Sequence, residues 1–220
     1  MKRVLLVLAC AGCVDAGDPP WQLDHDRIVA VRSEPPAILP GEVARIDALL
    51  AHAGGPTTTE VPSSATAAGA PADLFTAVHF NIDHWEIDGP DDAKLAQARA
   101  ELGLAADAPV PLEVSLQFPG PLYATKIVVL GASYANPTAS VEIDGAAAPT
   151  SIALAAHREV SLRVDAQIAR WFTSCGELRD HDEPTATLVT AGACTGELVI
   201  IVRDNRGGTF WQAFPLAIDL

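Results

Sequence analysis

The sequence predicts an all-β protein, built as two β-sandwich domains in tandem with one short inserted helix. Three observations carry this reading. Alternating runs recur along the chain, the clearest being Val110–Phe118 (VPLEVSLQF). There Val110, Leu112, Val114, Leu116 and Phe118 share one face, opposite Glu113, Ser115 and Gln117. Pro- and Gly-bearing turns separate the runs, at Pro40-Gly41, Pro119-Gly120-Pro121, Asp144-Gly145 and Asp204-Asn-Arg-Gly-Gly208. The strand pattern also restarts after Asn136-Pro137, so 220 residues divide into two units large enough to close separate cores. Nearly half of the chain is apolar (49%) and only 19% is charged, enough to fill such cores.

Residues 1–13 (MKRVLLVLACAGC) place Lys2 and Arg3 before the apolar run Val4–Ala11, the layout of an export signal. The run is too short to cross a bilayer as a helix of the mature protein. Ala11-Gly12-Cys13 resembles the end of a bacterial lipobox, in which small residues precede a cysteine that is cleaved at and lipidated. The resemblance implies an exported lipoprotein anchored through Cys13 at the outer membrane, in the periplasm or on the cell surface. Cys10, with its flank Val7-Leu8-Ala9, is the alternative lipidation site, and a plain secretory cleavage near Ala16 is another. Residues 14–24 read as a polar tether. Without Lys2 and Arg3 the chain carries 14 − 2 = 12 basic against 28 acidic residues, a net −16. Such a surface repels phosphate backbones and excludes nucleic acid as a partner, leaving basic proteins or cations.

The first domain spans residues 25–135. Arg27–Ser33 is a β-type run ended by Glu34-Pro35-Pro36, and Val43–Leu50 returns with Ala44, Ile46, Ala48 and Leu50 on one face. Residues 53–72 (AGGPTTTEVPSSATAAGAPA) are low-complexity and predict a disordered loop without a place in the core. Leu74–Asp88 reads as one extended segment, with either Phe80, Ile82 and His84 or Phe75, His79 and Trp85 turned inward. A helix follows over 90–103. Asp88 caps it, Pro90, Asp91 and Asp92 suit its first turn, Leu95, Ala98 and Leu102 form its apolar stripe, and Gly103 stops it. Val110–Phe118 and Tyr123–Gly131 complete the domain.

The second domain spans 136–220. Its strands are marked by Val141 and Ile143, by Val160, Leu162 and Val164, and by Gln167–Ser174, Ala186–Thr190, Glu197–Arg203 and Phe210–Ile218. The last two are joined as a hairpin by Asp204–Gly208. With Cys10 and Cys13 in the signal, only Cys175 and Cys194 belong to the folded part, and two cysteines in an exported protein are expected to pair.

The strand, Pro-Gly turn, strand opening of the first domain is similar to that of many bacterial immunoglobulin-like domains. Gly196-Glu-Leu-Val-Ile-Ile-Val-Arg-Asp204, with the Gly-Gly turn after it, resembles strand F of the immunoglobulin-like, cadherin-like and PKD-like modules. The resemblance implies that Trp85 takes the place of the buried strand-C tryptophan. It also implies that Cys175 ends strand C and Cys194 precedes strand F, its antiparallel neighbour, so that a bridge fits. Such a bridge closes a loop of about twenty residues and contributes roughly 3 kcal/mol. It differs from the B–F bridge of antibody domains. The implied role is structural, or the binding of a protein or glycan.

Catalytic patterns are missing from the sequence: there is no P-loop, no GxGxxG after a strand, no HExxH and no GxSxG. Gly131-Ala-Ser133-Tyr-Ala135 lacks the second glycine of a nucleophile elbow, and a hydrolase would need a histidine beside Ser133. A thiol dyad of Cys175 with His181 is abolished by pairing to Cys194. Asp24-His-Asp26 and Asp180-His-Asp182-Glu183 repeat an acidic pattern that can present oxygens to Ca²⁺. Asp180, Asp182 and Asp204 are the candidate ligands of a calcium-stabilised adhesion-type domain. The plainer reading of these carboxylates is the capping of turn amides. His79 and His84 lack zinc spacing. Trp211 points away from Phe210 and Phe214, either as a contact for a saccharide or protein or as packing against the first domain. The expected function is that of a non-enzymatic envelope lipoprotein without a cofactor, structural or binding in role.

Overall fold

The computed structural model describes residues 19–220 except 70, 72, 73, 75 and 76. Cys10, Cys13 and Phe75 therefore lie outside the described residues. The strands of the first half are β1 (Arg27–Glu34), β2 (Ala37–Ile38), β3 (Val43–Ala51), β4 (Thr58–Glu60), β5 (Ser64–Ala68), β6 (Val78–Asn81) and β7 (His84–Asp88). The helix α1 (Asp92–Glu101) follows, then β8 (Val110–Gln117) and β9 (Tyr123–Leu130). One sheet runs β1-β3-β7-β6, with β4 added to β3, and the other runs β2-β9-β8-β5. All neighbours are antiparallel except β2 and β9, which are parallel. The inward residues of both sheets, among them Ile46, Leu50, Ile87, Leu112, Leu116 and Phe118, share one core.

The second half contains β10 (Val141–Ile143), β11 (Ala146–Ala147), β12 (Ile152–Ala155), β13 (Arg158–Val164) and β14 (Ile168–Thr173). It ends with β15 (Glu177–Arg179), β16 (Thr185–Thr190), β17 (Cys194–Arg203) and β18 (Thr209–Asp219). Its sheets run β11-β10-β13-β16-β15 and β12-β18-β17-β14, again with one parallel pair, β12 on β18. In the lettering of immunoglobulin sandwiches both halves read A-B-E-D in one sheet and A′-G-F-C in the other. The chain is thus two tandem immunoglobulin-like sandwiches, and α1 sits in the E–F connection of the first.

Strand C of the first sandwich comes from the stretch predicted to be a disordered loop. β5 pairs Ser64–Ala68 with Glu113–Gln117 of β8, burying Ala65 and Ala67. Its small side chains give little β signal of their own; the ladder with β8 supplies what propensity does not. The approach to β5 is also tied down, since the Ser63 amide donates to Gln117 O and the Trp85 indole Nε1 donates to Pro62 O.

Trp85 is accordingly not the strand-C tryptophan. It lies half-buried on strand E, with its ring 5.4 Å from that of Phe80, and the strand's fully buried residue is Ile87. The strand-C position is filled in the second sandwich, by the fully buried Trp171. Leu74–Asp88 is not one strand but includes the hairpin β6–β7, and the inward set Phe80, Ile82 and His84 does not hold, since Phe80 and Ile82 are exposed; of the other set, His79 and Trp85 are half-buried. Its turn carries Ile82 in the left-handed region (φ 55°), 90% exposed, where glycine or asparagine normally signals a reversal. The helix cap is also one turn later than expected: Asp91, not Asp88, accepts the Lys94 amide at 2.8 Å. Leu95 and Ala98 are buried, whereas Leu102 is exposed.

The segment expected as a free tether is pinned from Trp21 onward. The Leu23 amide donates to Thr173 O (2.9 Å) and the Thr173 amide to Trp21 O (3.0 Å), so the chain runs parallel to the end of β14 before beginning β1. Leu23 then joins an apolar cluster that belongs to neither core. This cluster includes Val29 and Leu49 of the first sandwich with Phe172, Val199 and Ile201 of the second. β17 is covered on both faces, Leu198, Ile200 and Val202 facing the core and Val199 and Ile201 facing the first sandwich. Two-sided burial explains why this strand reads as an unbroken apolar run.

Candidate functional site

The three aspartates proposed as calcium ligands do not come together. Asp204 Oδ1 accepts the amides of Arg206 and Gly208, both at 2.8 Å, and so caps the β17–β18 turn. Asp180 occupies the left-handed region (φ 55°) in the β15–β16 turn, where its carbonyl accepts the Glu183 amide. Asp182 lines a cleft together with Arg170 and Arg203. Asp24 holds the His25 ring at 2.6 Å, and Asp26 accepts the Ala53 amide at 2.9 Å. Among the described residues no three His, Cys, Asp or Glu side chains converge as a metal site. The carboxylates of Asp24, Asp26 and Asp204 are engaged in local turns and pairs.

Cys175 and Cys194 form a disulfide that ties the end of strand C to the start of strand F. The segment between them is no simple loop: it crosses to the other sheet as strands D and E before returning. Thr173 Oγ1 lies 2.7 Å from Cys175 O and 2.8 Å from Glu197 O and accepts the Cys175 amide, which satisfies the polar groups beside the buried bridge. Every histidine side chain with a polar contact meets a carboxylate, and His52 also meets Thr58; none of these contacts reaches Ser133.

Trp211 stands in the junction between the sandwiches. The Arg32 guanidinium lies 4.1 Å from its ring, while the same guanidinium grips Asp47 through Nε (3.1 Å) and Nη2 (2.6 Å). The half-buried ring packs beside the apolar cluster, which is the second of the two readings given to it above. Polar contacts surround the same junction. Lys126 Nζ donates to Gly207 O at 2.6 Å and lies 3.3 Å from Thr209 Oγ1. Burial pushes this ammonium down to about 8, with Arg203 adding repulsion against the opposing pull of Asp204. Asn136 donates to Ser33 O and accepts the Thr209 amide, so one side chain joins both sandwiches. Tyr134 Oη donates to Arg206 O, and Glu197 accepts the Thr57 amide at 2.7 Å.

Sequence reasoning missed the arginines of this junction. Arg27 donates to Pro20 O and Gln22 O and lies 5.3 Å from the Phe172 ring. Arg170 and Arg203 line an adjoining cleft of about 180 Å³ with Val29, Ile168, Ile201 and Asp182. Burial, then the charge of Arg170, depresses Arg27, which Asp24 partly offsets; Arg203 is depressed by the same two causes. The signal lay in the positions of these residues. Arg170 and Arg203 flank apolar residues on strands whose other face fills the core.

No protein-family model and no curated protein matches the chain. Solved structures with a similar arrangement include fibronectin(III)-like modules of Clostridium thermocellum CbhA, at 11% identity and TM-score 0.31, covering 86% of this chain and 94% of that one. The tandem Ig repeats of Dlar match at 12% identity and TM-score 0.30, covering 89% and 98%. Domains 5-6 of the S-layer protein SbsC match at 11% identity and TM-score 0.27, covering 88% and 98%. At these values the assignment of the fold rests on the strand order of the chain itself.

Proposed function

We propose that this chain is a non-catalytic envelope lipoprotein, exported and anchored through Cys13, whose paired sandwiches form one stiff module that binds or presents a protein or glycan. The observation that carries the reading is the junction. Val199, Ile201 and Phe172 meet Val29 and Leu49 across it, and Arg32, Lys126 and Asn136 bridge it. A joint that is apolar inside and hydrogen-bonded at its rim holds two domains at a fixed angle, as suits a spacer or a presenting surface. The signal-like residues 1–13 support export, and the −14 net charge argues against anionic polymers as general partners. Metabolic labelling with palmitate tests the anchor: the wild-type chain incorporates label and Cys13→Ala does not. Equal incorporation by Cys13→Ala, or none by either, removes the lipoprotein.

A further inference from the structure

Ile168 pairs with Arg203, and Arg170 with Ile201, across the antiparallel strands β14 and β17. Directly opposed residues share a face, so Arg170 and Arg203 are diagonal neighbours on the outer face, about 7–8 Å apart at their Cα atoms. Both line the 180 Å³ cleft, whose apolar surface is made by Ile168, Ile201 and Val29. Arg27 of the first sandwich stands over the ring of Phe172, a residue of the cleft's lining. Among the described residues the arginines in ion pairs are Arg32, Arg158, Arg163 and Arg179; Arg170 and Arg203 of the cleft, and Arg27 beside Phe172, are not. Two carboxylates lie near them: Asp182 in the lining of the cleft and Asp24 by Arg27.

Mutual repulsion of these guanidiniums is unfavourable, in a chain that has 28 carboxylates to place beside them. A bound oxyanion removes that cost, because each planar guanidinium can donate two parallel hydrogen bonds to it. The volume lies below that of sites for drug-sized ligands and suits a single small residue. Ile168 and Ile201 offer a surface for a C–H face, and Asp182 an acceptor for hydroxyl groups.

We propose that the cleft between Arg170 and Arg203 binds one acidic sugar residue, its carboxylate held by the two guanidiniums and its ring lying on Ile168 and Ile201. This deepens the binding role given above and does not depend on the lipid anchor.

Titration calorimetry of the purified protein with glucuronate, glucose and inorganic phosphate tests it. Glucuronate binds at least tenfold more tightly than either of the others. Arg170→Gln and Arg203→Gln each weaken it tenfold or more, and Arg170→Lys weakens it as well because the two-pronged contact is lost. Asp182→Asn weakens glucuronate but not phosphate. Arg170 and Arg203 lie on the outer face of their sheet and outside both cores, and melting temperatures near that of the wild type establish that their variants are folded. Absence of glucuronate binding, or binding unchanged in the arginine variants, overturns the proposal. Phosphate binding as tightly as glucuronate overturns the sugar and leaves a bare oxyanion site. Absence of palmitate labelling in the wild-type chain, or equal labelling of Cys13→Ala, removes the anchor and leaves this result standing.

Discussion

Replacing Phe172 by alanine shows whether the junction is a structural joint or a passing contact. Phe172 is 2% exposed and pairs with Val199 on the outer face of its sheet, beneath Leu23 and Val29 and with Arg27 over its ring. Truncation deletes the ring and leaves a void that the flanking strands cannot close, at a cost of about 3–5 kcal/mol. Neither sandwich core contains Phe172, so the loss falls on the coupling between the halves. Against a domain stability of about 5–15 kcal/mol this is a large fraction. Scanning calorimetry of the wild type shows one cooperative transition. In Phe172→Ala the transition separates into two, the less stable half melting on the order of 10 °C lower. A single transition at the wild-type temperature in the variant refutes the argument that the halves are energetically joined.

Further outcomes follow from the same contacts. The Lys126 ammonium, ordinarily near 10.5, is pushed down to about 8, so between these values the unfolded chain holds a proton that the folded chain has released. Stability therefore rises with pH through that window, by on the order of 3 kcal/mol in all. Lys126→Met removes this rise, as urea midpoints at the two ends of the window will show; an unchanged pH slope in the variant contradicts the assignment. Replacing Cys175 and Cys194 together by alanine opens a loop of separation 19 and lowers stability by about 3 kcal/mol, measured by denaturation under non-reducing conditions. Trp211→Ala loses the Arg32 stack, worth about 1 kcal/mol, and lowers the calorimetric midpoint of the coupled transition. Calcium or EGTA leaves the melting temperature where it is, because Asp204 is committed to the turn amides of Arg206 and Gly208.

The strands that build the cores were legible because their periodicity is uniform: β8 alternates buried and exposed residues from Val110 to Gln117 without a break. The pairing of Cys175 with Cys194 followed from the expectation of export and from the cysteine count. What stayed hidden was structure created by neighbours. β5 consists of Ser, Thr and Ala, and becomes a strand because β8 offers it a ladder and Trp85 holds its approach through Pro62. The β6–β7 turn was concealed by Ile82, an apolar β-branched residue at a left-handed position. Trp211 showed only that it faced away from the core; Arg32, far off in sequence, decides what it faces. The arginine cleft is likewise a product of register, since Arg170 and Arg203 become diagonal neighbours only when β14 pairs with β17. Calcium had the opposite fault, because acidic spacing in sequence suggested a cluster that the turns pull apart.

The central claim is that the two sandwiches are held at one fixed angle. Residual dipolar couplings measured for amides of both halves in a weakly aligning medium test it most directly. A joined module yields one alignment tensor, with the same magnitude and orientation from residues 27–130 as from residues 141–219. Two tensors of different magnitude would mean that the halves reorient independently, and would contradict the account.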